Sequence, residues 1–224
     1  MLKKLYTLRR EILKKIVPEI IWPKTVDFEG AIVPLRSMPY SFGVKKILFQ
    51  KNYETSERFL IKDAVKHGDH VLELGGSIGI MAAIMQEIVG SDGKIVTVEA
   101  SKNLTETSSK WLESKGIIKV VTGIGFPVWQ VPSQFENFDF IDDGNSLGGN
   151  VVFYEKSKPK IIHEIYDIQR IEKEFNLQTS VLVIDIEGTE IVFLDESISI
   201  PQNIKSIVIE MHPNMYGFDK EKQI

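Results

Sequence analysis

The sequence of 224 residues contains no cysteine. This absence excludes a disulfide scaffold, thiol catalysis, and zinc or iron–sulfur sites with cysteine ligands. No apolar run approaches the roughly 20 residues that a membrane-spanning helix needs. With 43% hydrophobic and 26% charged residues, the chain has the composition of an ordinary globular protein with a sizeable core. We expect a cytoplasmic protein of one large domain or two small ones.

The net charge of −4 gives no case for a nucleic-acid partner, but the charge is unevenly distributed. Residues 1–24 carry a net charge of +5 and the rest of the chain −9. The first segment has apolar residues at helical spacing and basic residues mostly on the other face, and its charges exclude a signal peptide. This basic amphipathic helix packs on the body or on a second copy in a homodimer, or it contacts a membrane surface or a polyanion; both interpretations stay open.

The remaining chain divides into two predicted regions. Short β-forming runs at Thr25–Phe28, Ala31–Leu35 and Ile47–Phe49 predict a hairpin or small sheet within residues 25–54. From residue 55 onward strands and helices alternate, which predicts an α/β fold with a Rossmann-like, doubly wound, mainly parallel sheet. Predicted strands lie at 70–74, 94–99, 118–122, 181–186 and 205–211, and predicted helices at 78–89, 102–115, 162–175 and 189–195. Residues 124–160 interrupt this alternation and predict an aromatic-rich, substrate-facing insertion with some β structure.

A glycine-rich turn joins the first of these strands to its helix, through Gly75, Gly76 and Gly79. Such a turn lets a ligand approach the backbone, and the following helix N-terminus favours an anion. The carboxyl edge of an open α/β sheet is also where ligands bind. Ser77, within the turn, is predicted to cap the helix.

The turn does not match the fingerprint of dinucleotide-binding proteins. Counted from Gly75, the second and third glycines of G-x-G-x-x-G would fall at Ser77 and Ile80. Tyr154 and Lys158 have the Tyr-x-x-x-Lys spacing of short-chain dehydrogenases. They lie in the irregular region just before a proline, so we interpret this match as coincidence.

The pattern Glu73-x-Gly75-x-x-x-Gly79 resembles motif I of class I S-adenosylmethionine methyltransferases. The next strand ends in Glu99, where a carboxylate can accept hydrogen bonds from both ribose hydroxyls of an adenosyl group. The resemblance implies S-adenosyl-L-methionine as the cofactor. The residues it implies for cofactor binding are Glu73, Gly75, Gly76, Ser77, Gly79, Glu99, Ala100 and Ser101.

A narrower resemblance appears downstream. The segment Val183-Ile-Asp-Ile-Glu-Gly-Thr-Glu190 resembles the K-I-D-V-E-G-A-E signature of FkbM methyltransferases, and Ile207–Pro213 resembles their V-V-E-x-H-P strand. The chain departs from that family at Glu73, Ser77 and Val183, where Asp, Asn and Lys are usual. The resemblance implies O-methylation of a hydroxyl on a sugar, glycan or secondary metabolite. Class I methyltransferase folds also normally have an antiparallel strand pair after the fifth strand, which we expect to be missing here.

Methyl transfer requires that the two reactants be aligned, and a hydroxyl acceptor also requires a proton acceptor. At the ends of the fourth and fifth strands, Asp185, Glu187 and His212 are the catalytic candidates. Glu187 has a second interpretation as the cap of a helix, and His212 as a packed residue. Asp142 and Asp143, together with Asp185 and Glu187, could supply oxygen ligands for a divalent ion. We predict no metal there, since Asp142–Asn145 is typical of a solvated turn.

Two other functions remain open after the motifs are considered. An NAD(P)-dependent oxidoreductase would use the same sheet edge, although the failed dinucleotide fingerprint counts against it. A non-catalytic protein of the same fold would bind the cofactor or a partner without transferring a methyl group. The resemblance favours an enzyme that acts on a small-molecule or glycan acceptor.

Overall fold

The computed structural model describes residues 22–131, 138–142, 149–153, 164–187, 190, 192 and 200–212. Residues 1–21 of the predicted basic helix lie outside the described residues. So do Asp143, the Tyr154–Lys158 segment, most of the predicted helix 189–195 and residues 213–224. The chain divides into two compact units, Met1–Tyr53 and Glu54–Ile224.

The first unit contains the predicted hairpin. Strands β1 (Thr25–Phe28) and β2 (Ala31–Pro34) pair antiparallel through a two-residue turn with positive φ. Helix α1 (Phe42–Phe49) follows, capped by the Ser41 hydroxyl, which accepts a hydrogen bond from the Val44 N–H. The predicted β run at Ile47–Phe49 is wrong, because the cap starts a helix that buries Val44 and Leu48, one turn apart.

Two residues that we assigned to the basic helix contact this hairpin unit. Arg36 Nε donates to the Trp22 carbonyl at 2.7 Å, and the Leu35 N–H donates to the Lys24 carbonyl at 2.9 Å. The Trp22 ring packs edge-on against Phe42 and Phe49, with centroids 5.4 and 5.9 Å away. Trp22 and Lys24 therefore belong structurally to the first unit.

The second unit has a five-stranded parallel sheet whose strands lie in the spatial order Ser206–Ile209, Val181–Ile184, His70–Leu74, Lys94–Glu99 and Ile118–Thr122. This order confirms the predicted Rossmann-like, doubly wound α/β fold. Its elements are α2 (Thr55–Ala64), β3 (His70–Leu74), α3 (Ile80–Val89), β4 (Lys94–Glu99), α4 (Lys102–Leu112), β5 (Ile118–Thr122), β6 (Ile124–Gly125), β7 (Phe138–Asp142), β8 (Gly149–Phe153), β9 (Ile165–Tyr166), α5 (Ile168–Phe175), β10 (Val181–Ile184) and β11 (Ser206–Ile209).

The region between β5 and α5 adds short strands to this frame. Strands β7 and β8 form an antiparallel hairpin within the predicted insertion, and β6 pairs in parallel with β9. The helix predicted from residue 162 begins only at Ile168. Two contacts prevent an earlier start. Ile165–Tyr166 pair with β6, and the Asp167 side chain caps the helix by accepting a hydrogen bond from the Arg170 N–H at 2.8 Å.

Alternation along the strands divides the core between the two faces of the sheet. Leu72, Leu74 and their neighbours on β4 and β10 are buried in one cluster with Ile168 and Ile171 of α5. The residues between them, including Glu73, belong to the other face. The chain reverses its direction of winding between β3 and β10, so the carboxyl ends of these two strands flank the crevice where such folds bind ligands.

No helix in the described ranges combines the length and the apolar character needed to cross a membrane.

Candidate cofactor and acceptor site

The glycine turn after β3 has three residues with positive φ: Gly75 at 90°, Ser77 at 44° and Gly79 at 84°. The Gly75 and Gly76 N–H groups both donate to the Val98 carbonyl, at 2.8 and 3.1 Å. Glycine is required at position 75 for a second reason. A Cβ there would lie 2.6 Å from the carbonyl carbon of Asp185. The turn after β3 thus packs directly on the chain leaving β10.

Ser77 does not cap the following helix, contrary to our prediction. Gly79 is the N-cap residue of α3, and no side chain caps that helix. The Ser77 hydroxyl is buried and has no hydrogen-bond partner within the described residues. A non-glycine residue with positive φ is strained, and such strain concentrates at ligand sites.

Glu99 ends β4 beside this turn, and two backbone groups hold its carboxylate. The Ser77 N–H donates to Oε2 at 2.8 Å, and the Ser101 N–H donates to Oε1 at 2.7 Å. These charge-assisted hydrogen bonds fix the orientation of the carboxylate. Ser101 is the N-cap residue of α4, so the predicted cofactor segment Glu99–Ser101 lies at the edge that the turn also forms.

Glu73 lies beneath the turn rather than on its surface. The residue is 2% exposed, and a Cβ at Gly76 would lie 3.2 Å from its Oε2 atom. Burial raises the pKa of Glu73 to about 7; the nearby Thr97 hydroxyl acts in the opposite direction, and the charges of Asp185 and Glu99 add to the rise.

Asp185 and Glu210 continue the sheet ladder past the strand ends. The Asp185 N–H donates to the Leu74 carbonyl and the Glu210 N–H to the Ile184 carbonyl, both at 2.9 Å. His212 follows two residues after Glu210. One ligand atom from each of Asp185, Glu210 and His212 can be chosen so that all three lie within 4.8 Å of one another. The structure thus brings together two of the three predicted catalytic residues.

A buried carboxylate orients His212. Its Nδ1 lies 2.7 Å from Glu190 Oε1, and the Glu190 side chain is fully buried. Its Nε2 lies 3.7 Å from Asp185 Oδ1. The hydrogen bond with Glu190 raises the pKa of His212 to about 9, although burial acts against this rise.

The carboxylates around this edge outnumber the cations. Burial raises the pKa of Asp185 to about 7, and the charge of Glu210 adds to the rise while His212 opposes it. Glu57 of α2 is 9% exposed, and its pKa rises to about 9, first through burial and then through the charges of Asp185 and Glu73. The edge is strongly acidic.

Sequence reasoning missed Glu57, Glu190 and Glu210. Glu190 and Glu210 lie within the two FkbM-like segments, at positions where the family signature also has glutamate, and that match was a usable signal. No sequence signal distinguishes Glu57 from other acids of an amphipathic helix. Glu187, which we predicted as catalytic, is exposed and lies outside the Asp185–Glu210–His212 group.

Comparison with known proteins gives a consistent class. The profile of the protein-L-isoaspartate (D-aspartate) O-methyltransferase family matches residues 37–139, less than half of the chain. A protein-L-isoaspartate O-methyltransferase from Thermotoga maritima is 38% identical over 117 residues, which cover 47% of this chain and 37% of the relative. A ubiquinone/menaquinone biosynthesis C-methyltransferase from Francisella philomiragia is 26% identical over 148 residues, 57% of this chain and 56% of the relative.

Among solved structures, fibrillarin from Aeropyrum pernix, with natively bound S-adenosyl-L-methionine, aligns over 32% of each chain at 26% identity and a TM-score of 0.29. The chain spans less than two thirds of the length of the Thermotoga and Francisella relatives. The relatives support a class I methyltransferase, as our sequence analysis predicted at this level, but they do not support the FkbM family specifically.

Proposed function

We propose that this chain, which has the class I methyltransferase fold, transfers a methyl group from S-adenosyl-L-methionine to an oxygen atom of its acceptor. The observation that carries the proposal is the Glu99 carboxylate, held by two backbone N–H groups beside the glycine turn. A carboxylate has about four acceptor sites, so an oriented one can bind ribose hydroxyls as well. The predicted cofactor is supported by the methyltransferase relatives and the fold.

Asp185 joins the cofactor turn to the acceptor side of the site. Its backbone packs against Gly75, while its side chain lies beside His212 and Glu210. In the reaction, the acceptor oxygen forms a bond to the methyl carbon, and the sulfur–carbon bond breaks with its electron pair left on sulfur. The acceptor also loses a proton. We assign the handling of that proton to the group around Asp185.

For the acceptor we favour a hydroxyl, as in FkbM enzymes acting on sugars, glycans or secondary metabolites. An ionised carboxylate, such as an isoaspartyl group, has no proton to lose, so it would not need the Asp185 group. In addition, the isoaspartyl profile ends at residue 139, before the segment that supplies Asp185 and Glu190. The second candidate is methylation of isoaspartyl carboxylates, which the identity with the Thermotoga relative favours.

Calorimetry with S-adenosylhomocysteine tests the cofactor proposal. We expect the wild-type protein to bind this product. Glu99→Ala should lose about 1–3 kcal/mol of binding free energy, because the ribose hydroxyls would then lack their hydrogen-bond acceptor. Glu106→Gln is the matched control, because it removes an exposed carboxylate of α4 that forms an ion pair with Lys102. Binding of NAD(H) instead of S-adenosylhomocysteine would contradict the proposal and favour the oxidoreductase.

A transfer assay then tests the acceptor. A methyl donor with a labelled methyl group is incubated with neutral saccharides and, separately, with an isoaspartyl peptide. We expect label on the saccharide arm. Label on the peptide arm alone would replace the hydroxyl acceptor with the second candidate, and S-adenosylhomocysteine binding without transfer in either arm would favour a non-catalytic cofactor-binding protein.

A further inference from the structure

Three side chains at the ends of β10 and β11 have the spacing of ligands on one ion. The chosen ligand atoms of Asp185, Glu210 and His212 lie within 4.8 Å of one another. Two ligands on opposite sides of an ion with bonds of about 2.0–2.4 Å are separated by roughly 4.0–4.8 Å. The three atoms are therefore close enough together to approach a single ion.

We propose that Asp185, Glu210 and His212 bind a divalent first-row transition-metal ion. From the sequence we considered Asp142, Asp143, Asp185 and Glu187 as ligands and predicted no metal; Glu210 was not among these candidates. The arrangement of His212 supports the proposal. Its Nδ1 is held by the fully buried Glu190, and its Nε2 is directed toward Asp185. Metal-binding histidines commonly have such a carboxylate on the nitrogen away from the metal.

Glu57 provides a second, independent observation. It is 91% buried, and its carboxyl group makes no hydrogen bond or ion pair with any residue that the structure describes. Its strongest charge interaction is with Asp185, and further acids around it are Glu73, Glu54 and Glu210. Burying a carboxyl group without a partner is costly, and a cation at Asp185 would offset the repulsion among the acids around Glu57.

The mixture of ligands selects the class of ion. Carboxylates alone would suit Mg²⁺ or Ca²⁺, which prefer oxygen ligands, whereas an imidazole favours transition ions such as Zn²⁺ or Fe²⁺. One imidazole and two carboxylates therefore indicate an ion that accepts both, with Mn²⁺ as a convenient probe. Three protein ligands leave positions for water or for an acceptor oxygen.

This inference rests on the proposed function, and it specifies how the Asp185 group handles the acceptor proton. A divalent ion held by these residues would lower the pKa of an acceptor hydroxyl bound to it, so the proton would pass more readily to solvent. The oxygen then forms the bond to the methyl carbon, and the sulfur keeps the electron pair of the broken bond. The ion would also hold the acceptor oxygen next to the turn that carries the cofactor.

Titration of the full chain with Mn²⁺, followed by the electron paramagnetic resonance signal of free Mn²⁺, tests the site. We expect one bound ion per chain. Glu210→Gln and His212→Gln should weaken binding about 10- to 100-fold, and Glu190→Gln by about tenfold, because it releases the imidazole. Glu210 is exposed, so its variant keeps the fold, which circular dichroism checks for all variants. The control Glu106→Gln should bind like wild type.

Several outcomes would overturn the proposal. These are a Mn²⁺ signal unchanged by the protein, equal loss of binding in Glu106→Gln, or competition by Ca²⁺ but not by Zn²⁺. S-Adenosylhomocysteine binding is measured on the same samples. If it persists while Mn²⁺ does not bind, only this inference fails. If Mn²⁺ binds and S-adenosylhomocysteine does not, the metal site stands and the proposed function fails.

Discussion

Gly75 packs against the peptide of Asp185 so closely that a Cβ at Gly75 would lie 2.6 Å from the Asp185 carbonyl carbon. The contact joins the ends of β3 and β10, the two strands that flank the point where the winding reverses. It connects the turn proposed to hold the cofactor with the side chain proposed to act on the acceptor. The two halves of the site are thus held at a fixed separation by backbone.

Gly75→Ala tests this contact, with Gly116→Ala as its control. Both glycines have positive φ, 90° and 81°, but a Cβ at Gly116 would meet nothing within 4 Å. The control should lose only the cost of an alanine in this conformation, about 1–2 kcal/mol. Gly75→Ala adds overpacking and should lose about 2–5 kcal/mol in urea unfolding, together with S-adenosylhomocysteine binding. Equal losses in the two variants would contradict the packing argument.

Glu73 should make the protein less stable as the pH rises through the neutral range. Its pKa is raised to about 7 in the folded chain, against about 4.3 in an unfolded one. Between these values the folded state keeps a proton that the unfolded state has lost, so the free energy of unfolding falls by up to about 1.4 kcal/mol per pH unit.

Glu73→Gln, which imitates the protonated acid, should remove this fall. Urea unfolding at pH 5, 6, 7 and 8 measures the effect, and the variant should exceed wild type in stability at pH 8. Glu106→Gln, an exposed carboxylate, should follow the wild-type curve. If Glu73→Gln and wild type run parallel over this range, Glu73 is ionised in the folded chain.

The sequence predicted those features that depend on local pattern. Buried strands followed by helices located β3 and β4, and the glycine turn after β3 located the cofactor edge. A parallel sheet brings the carboxyl ends of its strands together wherever they lie in the chain. The Asp167 cap and the pairing of Ile165 with Ile124 were missed. The cap was missed because the apolar residues continue at helical spacing on both sides of Asp167. The strand pairing was missed because it joins residues far apart in sequence.

The site illustrates the same division. Glu99 could be predicted because its spacing from Gly79 follows from one βα unit. The gathering of Glu57, Glu190 and Glu210 around Asp185 could not, since it depends on how α2 and the ends of β10 and β11 are placed in three dimensions. Ser77 shows the limit of a local rule. A serine before a helix is a good cap, but here its φ of 44° directs the N–H to Glu99.

Asp69 should stabilise the opposite, N-terminal edge of the sheet. Its carboxylate accepts hydrogen bonds from the Lys66 N–H and the Ser180 hydroxyl, both at 2.8 Å, and from Lys205 Nζ at 3.3 Å. Burial alone would raise the pKa of Asp69, but these partners hold it below its usual value. Asp69→Ala should therefore lose about 2–3 kcal/mol at pH 7.

The loss should depend on pH in a defined direction. Because the folded pKa lies below the unfolded one, the stabilisation is complete above the unfolded value near pH 4 and disappears as the pH falls through the folded value. Urea unfolding of wild type and Asp69→Ala at pH 7 and pH 3 should show the difference shrinking. Asp92→Ala, at an exposed acid, should stay within about 0.5 kcal/mol of wild type at both. A difference that grows at pH 3 would contradict the assigned direction.

Removal of the basic segment should leave cofactor binding intact. All residues proposed to bind the cofactor lie in the unit Glu54–Ile224, so a chain that begins at Trp22 should bind S-adenosylhomocysteine with wild-type affinity. A chain that begins at Thr25 should bind as well but unfold more easily, because the hairpin unit loses the Trp22 ring and the Lys24 carbonyl. Calorimetry and urea unfolding separate the two effects. Loss of binding on removal of residues 1–21 alone would make the basic segment part of the cofactor site.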